Sequence, residues 1–202
     1  MPRRQNPYAK PDRFTRAAKD AGFPARSVYK LEEIDRRARL FRPGMKVLDL
    51  GASPGSWALY AAGRIGERGR LLAVDLSPIE VALPPQLEFV AGDALAMDAE
   101  PGGPLARFAP YDVVVSDMAP RTTGNRVTDQ ARSFELFMRA LAIAVKLGAP
   151  SGAFVGKIFM SDDLPAARAE LRRHYAGERL IRPEGTRAVS TEIFAVASGK
   201  RA

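Results

Sequence analysis

A lysine inside an apolar run is the most unusual feature of this 202-residue sequence. Lys157 interrupts the segment from Phe154 to Phe159, which otherwise has the composition of a buried β-strand. An unpaired ammonium group is costly to bury, so Lys157 needs either a carboxylate partner or an opening to a site. In the first case it forms a structural salt bridge, and in the second its neutral form can accept a proton. The residues alone leave both interpretations open.

Three further ionisable residues occupy positions from which a site could be built. Asp117 directly follows the apolar run Tyr111 to Ser116, Glu192 begins the run EIFAVA, and Lys30 lies in a helical pattern. Taken singly, Lys30 could be a solvated helix charge, and Glu192 could be an edge-strand charge that opposes aggregation. The one histidine, His174, lies among arginines in a helical stretch, and we interpret it as a surface or helix-end residue.

A loop with two glycines follows the first predicted strand, Lys46 to Leu50. Gly51 and Gly55 let the backbone pass close to a ligand, where a Cβ atom would collide. The spacing G-x-x-x-G differs from the G-x-G-x-x-G of dinucleotide-binding proteins, and no Lys-Ser/Thr follows to form a phosphate loop. The loop therefore fits a cofactor without a pyrophosphate, although a tight strand-to-helix turn would also explain the glycines.

Acidic residues follow the next two predicted strands. Asp75 ends the strand Leu71 to Asp75, and Asp93 comes two residues after the strand Leu87 to Ala91. A carboxylate in the place of Asp75 can accept hydrogen bonds from both ribose hydroxyls of an adenosine, and Asp93 could accept one from an adenine amino group. Each aspartate alone could be a cap or turn residue. Together with the glycine loop they predict a site for a nucleoside cofactor.

The elements that must position these residues alternate between strand and helix. The remaining strands are predicted at Ala153 to Phe159, Arg179 to Ile181 and Glu192 to Ala197, the last two joined by a short Pro/Gly turn. Helices are predicted from Val28 to Leu40 with Ser27 as N-cap, from about Gly55 to Trp57 onward, over 129–147 and over 164–175. This alternation predicts an α/β fold, a doubly wound and mostly parallel sheet with helices on both faces.

Charge is distributed unevenly along the chain. The net charge of +8 divides into +7 for residues 1–42, −3 for 43–163 and +4 for 164–202. This pattern suggests a catalytic core with flanks that bind a polyanion, although surface arginines could also serve solubility alone. The absence of cysteine excludes a disulfide framework and a cysteine-based metal site. No window approaches the roughly 18 apolar residues of a membrane span, so we expect a cytoplasmic protein without a metal.

Four motifs carry a resemblance to a known family. DLGASPGSW, AVDLSP, AGDA and SDMAP, in this order and spacing, resemble the FtsJ/RrmJ family of ribosomal RNA 2′-O-methyltransferases. The similarity divides the chain into a basic, partly flexible extension (1–25) and a methyltransferase domain (26–202). It implies a Rossmann-like fold, a seven-stranded sheet with a C-terminal antiparallel strand, and S-adenosylmethionine as methyl donor. Ser56 departs from the family, whose members often have a second glycine there. The cofactor-binding positions that the resemblance implies are Gly55, Trp57, Asp75, Asp93 and Asp117.

The resemblance also groups residues that sequence spacing could not group. Lys30, Asp117, Lys157 and Glu192 match the family's Lys-Asp-Lys-Glu catalytic tetrad, which implies that Lys157 removes the proton of a ribose 2′-hydroxyl. Lys157 must be neutral for that step. Burial, the cofactor's sulfonium charge and Lys30 favour the neutral form, whereas Asp117 and Glu192 oppose it. We therefore assign to these two carboxylates the orientation of Lys157 and of the ribose.

Similarity to the stand-alone bacterial members of the family implies a substrate in the large ribosomal subunit. The implied target is a uridine ribose in the peptidyl-transferase A loop of 23S ribosomal RNA. Basic residues near the N-terminus could contact RNA phosphates, and aromatic residues between them could stack on bases, although two of these, Phe23 and Tyr29, could equally be core residues. The basic residues are Arg3, Arg4, Lys10, Arg13, Arg16, Lys19 and Arg26, and the aromatic ones are Tyr8, Phe14, Phe23 and Tyr29.

Two other functions compete with methyl transfer. A nicotinamide-dependent oxidoreductase would use a similar sheet, but the G-x-G-x-x-G motif is missing from this sequence. A noncatalytic RNA-binding or ribosome assembly protein could use the same fold, but the intact tetrad disfavours that alternative. We expect a monomer.

Overall fold

The computed structural model describes residues 13–187 and 190–202, which form an α/β domain. Its strands are β1 (Lys46–Leu50), β2 (Arg70–Asp75), β3 (Leu87–Ala91), β4 (Tyr111–Ser116), β5 (Gly148–Phe159), β6 (Tyr175–Ile181) and β7 (Glu192–Lys200). Its α-helices are α1 (Arg13–Asp20), α2 (Val28–Ala38), α3 (Ser56–Ile65), α4 (Arg126–Leu147) and α5 (Leu164–His174). Residues 1–12 of the predicted basic, partly flexible extension (1–25) lie outside the described residues.

The seven strands form one sheet in the order β3-β2-β1-β4-β5-β7-β6. Adjacent strands from β3 to β5 are parallel, and β7 is antiparallel to both of its neighbours. Strands β1, β2 and β4 are buried along most of their length because the sheet is covered on both faces at its centre. The predicted fold class, including the antiparallel strand near the C-terminus, is confirmed.

The core has two layers, one on each face of the sheet. On one face α4 packs on the sheet through Phe137, whose ring lies 5.6 Å from that of Phe154. Gly156 permits this approach, since a Cβ atom there would lie 2.8 Å from the Phe137 ring. On the other face α2 and α3 cover the sheet, and Trp57 contacts Phe194 with ring centroids 5.5 Å apart.

Three local features differ from the sequence predictions. Helix α2 ends two residues before the predicted Leu40 because Arg39 adopts a left-handed conformation, with φ of 52°, and the Asp35 carboxylate accepts the N–H of Leu40 at 2.9 Å. Ser27 makes no side-chain cap, and its carbonyl instead accepts the indole N–H of Trp57 at 2.9 Å. Strand β6 begins at Tyr175, four residues before the predicted start at Arg179.

Candidate active site

The register of the sheet brings the predicted site residues to one edge. Asp75 ends β2, Asp117 follows β4, and Lys157 lies near the end of β5. Leu50 of β1 pairs with Val74 of β2 and with Ser116 of β4. The next residue of each strand follows in the same register, so Gly51 lies between Asp75 and Asp117. The pairing of β4 with β5 likewise places Asp117 opposite Lys157. Ligands of parallel α/β sheets bind at this carboxyl edge.

Lys157 forms an ion pair with Asp117. Its Nζ atom donates to Oδ1 of Asp117 at 2.8 Å and also to the backbone carbonyl of the same residue. The lysine side chain is 8% exposed and the aspartate 19%, so the pair lies at the boundary between core and solvent. The partner that the sequence requires for a lysine in this strand is therefore Asp117.

A second ion pair joins Lys30 of α2 to Glu192 at the start of β7, and both side chains are largely buried. Thr186 donates its hydroxyl to the same Glu192 oxygen at 3.4 Å. Phe194 pairs with Lys157 across the β5–β7 ladder, and Glu192 lies two residues before it on the same face. The two ion pairs are thus diagonal neighbours, which places them roughly 7 Å apart at the backbone.

A cleft of about 450 Å³ opens beside the Lys157–Asp117 pair. Asp75 is fixed at its edge, because its two carboxylate oxygens accept the N–H groups of Ser53 at 2.9 Å and Ser77 at 2.8 Å. A Cβ atom at Gly51, where φ is +82°, would lie 2.6 Å from Cγ of Met118. The cleft is lined by Gly51, Ser53, Val74, Asp75, Leu76, Gly92, Asp93, Ala94, Leu95, Asp117, Met118, Ala119 and Leu136.

A buried carboxyl group lies behind this cleft. Asp49 of β1 has no exposed surface, and neither of its carboxyl oxygens has a hydrogen-bond partner among the described residues. Burial raises its pKa well above the ordinary value, and the nearby charges of Asp117 and Asp75 raise it further. The sequence analysis did not single out Asp49, although an acid inside an apolar strand is the same kind of signal as Lys157.

Comparison with known proteins identifies the family. The sequence model of the FtsJ-like methyltransferases matches residues 23–200. The chain belongs to the FtsJ-like methyltransferase family. It is 64% identical over 198 residues to ribosomal RNA large subunit methyltransferase E of Sorangium cellulosum, covering 98% of this chain and 92% of the relative. The protein of the same name from Bdellovibrio bacteriovorus is 47% identical, with 96% of this chain and 99% of the relative covered.

Solved structures show that the fold of this FtsJ-like methyltransferase recurs in more distant proteins. A crystal structure of a ribosomal RNA methyltransferase from Plasmodium falciparum superimposes with a TM-score of 0.77 at 19% identity, covering 88% of this chain and 98% of that chain. Human methyltransferase-like protein 13 in complex with SAH superimposes with a TM-score of 0.55 at 20% identity, covering 79% and 75%. At these identities the likeness concerns the fold alone.

The structure of this FtsJ-like methyltransferase brings together six of the eight predicted site residues. Lys30, Asp117, Lys157 and Glu192 form the two ion pairs, and Asp75 and Asp93 line the cleft. The Oδ1 atom of Asp93 accepts the N–H of Leu95 at 2.9 Å. The motif order anticipated these positions but could not show which lysine pairs with which carboxylate.

Gly55 and Trp57 are not among the described residues that line the cleft. Trp57 is 3% exposed and lies in the core against Phe194, so the structure gives it a packing role beside the tetrad. Gly55 has a φ of +110° at the start of α3, and a Cβ atom there would lie 2.7 Å from Ile79. Their direct contact with a cofactor stays a prediction.

His174 lies at the end of α5, where its Nε2 atom is 3.0 Å from Oε1 of Glu170, as expected for a helix-end residue. Within residues 13–187 and 190–202, no helix has both the length and the apolar character to span a membrane.

Proposed function

We propose that this protein transfers a methyl group from S-adenosylmethionine to a ribose 2′-hydroxyl of large-subunit ribosomal RNA, at a uridine of the A loop of 23S RNA. The observation that carries the proposal is the buried Lys157–Asp117 pair at the mouth of a cleft, with Lys30–Glu192 beside it. The proposal includes a monomeric, cytoplasmic enzyme. The large-subunit target is supported by the names of the bacterial relatives, which cover nearly the whole chain.

The residues present fit the proposed cofactor. The cleft volume of about 450 Å³ lies within the usual range for small-molecule sites. Asp75 can accept ribose hydroxyls with the lone pairs that Ser53 and Ser77 leave open, and Gly51 leaves room for a close approach to the backbone. Asp93 would accept from the adenine amino group. When bound, S-adenosylmethionine supplies an electrophilic methyl group on a positively charged sulfur.

Asp117 can orient Lys157 as a proton acceptor. A neutral lysine amine has two N–H groups and one lone pair. The carboxylate and the backbone carbonyl of Asp117 provide two acceptors for Nζ, so they match the two N–H groups and leave the lone pair directed elsewhere. A 2′-hydroxyl placed in that direction would hydrogen-bond to the lone pair and lose its proton to Nζ as the methyl group arrives. The alignment of the two groups supplies much of the remaining acceleration.

The Lys30–Glu192 pair would hold the ribose on the side away from the Lys157–Asp117 pair. Its members come from α2 and β7, and Thr186 of the β6–β7 connection also contacts Glu192. Lys30 places a positive charge near the Lys157–Asp117 pair. Glu192 can accept a ribose hydroxyl while it keeps Lys30 in place.

Helix α1 extends a basic and aromatic surface next to α2. Phe14 and Tyr29 contact each other with centroids 5.9 Å apart, and the Arg13 guanidinium lies 4.8 Å from the Phe14 ring centroid. Arg16 and Lys19 of the same helix are exposed. Cations of this kind bind phosphates without reading sequence, and such aromatic rings can stack on unpaired bases. Tyr29 of this surface belongs to α2, the helix that carries Lys30, so the surface lies next to a residue of the tetrad. This position supports an RNA substrate.

Replacing Asp75 by asparagine should weaken the binding of S-adenosylmethionine by about 10- to 100-fold. The amide keeps the shape, but it loses the charged acceptor for two ribose hydroxyls, and a hydrogen bond to a charged group contributes about 1.5–3 kcal/mol. Isothermal titration calorimetry on the purified variant would measure the change. Asp98, whose carboxylate caps an exposed turn outside the cleft, provides the control as Asp98→Asn. Equal affinities of Asp75→Asn and Asp98→Asn would refute the role of Asp75.

The function itself is tested by incubating the protein with methyl-labelled S-adenosylmethionine and undermethylated large ribosomal subunits, followed by mapping of the modified nucleotide. We expect label in one ribose of 23S RNA. Absence of transfer, with RNA binding intact, would instead favour a noncatalytic assembly protein. Binding of NAD in preference to S-adenosylmethionine would favour the oxidoreductase.

A further inference from the structure

A second concave surface lies at the opposite end of the sheet from the tetrad. Its volume is about 360 Å³, and it lies between the end of α2, the loop before β1, and strands β4 to β7. Ser151 of β5 lines it, six residues before Lys157, which corresponds to about 20 Å along an extended strand. We call this surface the rear cavity. None of the residues that line it lines the cofactor cleft.

Three arginines of the rear cavity have no side-chain partner among the described residues. Arg39, Arg42 and Arg179 line it and are exposed. Within the part of the chain that the structure describes, none of the three guanidinium groups takes part in an ion pair or a hydrogen bond. Arg64 of the neighbouring helix α3, by contrast, pairs with Asp35. Unpaired arginines that converge on a concave surface are typical of a site for an anion.

The acidic residues of the rear cavity do not neutralise these arginines. Asp112 accepts the backbone N–H of Lys46 at 2.8 Å and so helps to fix the start of β1. Glu178 directs its carboxylate to α5, where Arg168 and Arg172 donate to Oε1 at 2.7 Å and 2.8 Å. The surplus charge of the cavity is therefore positive.

Two residues that line the rear cavity have a left-handed backbone conformation. Arg39 and Ser151, with φ of 52° and 63°, are the two non-glycine residues with a left-handed backbone within residues 13–187 and 190–202, and both line the cavity. Arg39 terminates α2, which accounts for its conformation. Ser151 terminates no helix. It lies in the stretch of β5 where the pairing with β4 is irregular, between Gly148 opposite Tyr111 and Ala153 opposite Val113, and this irregularity accounts for its conformation.

We infer that the rear cavity binds a phosphate of the RNA backbone, outside the stretch of RNA that enters the catalytic cleft. The guanidinium forks of Arg39, Arg42 and Arg179 can each hold two phosphate oxygens, and the Ser151 and Ser198 hydroxyls can donate to the same group. Even at the 3.4 Å per nucleotide of a B-form DNA strand, 20 Å spans about six nucleotides, so the bound phosphate lies at least that far from the target nucleotide. The contact would select a large, folded RNA over a short oligonucleotide. The inference rests on the proposed RNA substrate.

The test is a triple variant, Arg39→Gln with Arg42→Gln and Arg179→Gln, assayed against a full-length large-subunit RNA transcript by filter binding at several salt concentrations. We expect the dissociation constant near physiological salt to rise about tenfold or more. The slope of log affinity against log salt should become shallower by roughly 0.7–0.9, the change expected when one phosphate contact is lost. Affinity for S-adenosylmethionine and transfer to a short RNA that contains the target nucleotide should stay unchanged.

Arg68→Gln is the matched control, because Arg68 is an exposed arginine in the turn before β2 and does not line the rear cavity. A triple variant with the salt slope of the wild type and of this control would overturn the inference. So would a cavity that binds inorganic phosphate while RNA affinity is unchanged, which would assign it to a small anion. Failure of methyl transfer by the wild-type protein would refute the proposed function, yet the salt slopes would still decide the rear cavity.

Discussion

Replacing Lys157 by methionine should lower the rate of methyl transfer by about 10²- to 10⁴-fold, the range that a positioned general base contributes. Methionine fills a similar volume in the strand but has no lone pair that could take the proton of the 2′-hydroxyl. Single-turnover transfer from labelled S-adenosylmethionine to undermethylated subunits would measure the rate. Calorimetry would show whether the cofactor still binds, as we expect, because Lys157 is not among the residues that line the cleft.

Lys157→Arg separates proton removal from salt-bridge formation. Arginine can keep the ion pair with Asp117, but it stays protonated and offers no lone pair. A folded Lys157→Arg protein should therefore be nearly as inactive as Lys157→Met. Recovery of most of the activity would mean that Lys157 acts only as a structural cation. Lys146→Met is the control for the loss of a lysine ion pair outside the site, since Lys146 of α4 pairs with Glu100 on the surface.

Replacing Asp49 by asparagine should stabilise the cofactor-free protein, and the gain should increase with pH. The pKa of Asp49 is raised well above its ordinary value by burial and by the charges of Asp117 and Asp75. In the unfolded chain Asp49 ionises near pH 3.9. The wild-type protein therefore loses stability as the pH rises from that value through the raised pKa, by about 1.4 kcal/mol per pH unit. Asparagine does not ionise and so escapes this loss.

Urea unfolding of both proteins without cofactor, at intervals from pH 5 to pH 8, would measure the effect. The difference in the free energy of unfolding should widen in favour of Asp49→Asn until the pH exceeds the raised pKa, and then stay constant. A difference that does not change with pH would mean that Asp49 ionises normally. Asp112→Asn is a suitable comparison, because the carboxylate of Asp112 is not fully buried and accepts a backbone N–H.

Much of this site could be predicted from the sequence because its residues come directly after strands. Asp75 and Asp117 follow apolar runs that can only be buried strands, and parallel strands end at the same edge of a sheet. Local pattern also determined that Lys157 needs a partner, since a lysine inside such a run cannot remain unpaired. The motifs from Asp49 to Pro120 then sufficed to indicate the family, which the comparisons confirm.

The tertiary structure decided which charges meet. Lys157 pairs with Asp117 and Lys30 with Glu192, and this choice depends on the register of β5 with its neighbours and on the docking of α2. The same packing buries Trp57 against Phe194, and its indole N–H donates to the carbonyl of Ser27.

The rear cavity was equally invisible in the sequence, since residues as distant as 39 and 179 form it. Its arginines look like ordinary surface charges until the fold shows that they converge. Sequence periodicity determines which face of an element a side chain occupies, and only the packing of elements determines what it faces. Lys157 illustrates the difference. The apolar sequence around it predicts that it needs a partner, and the pairing of β5 with β4 determines that the partner is Asp117.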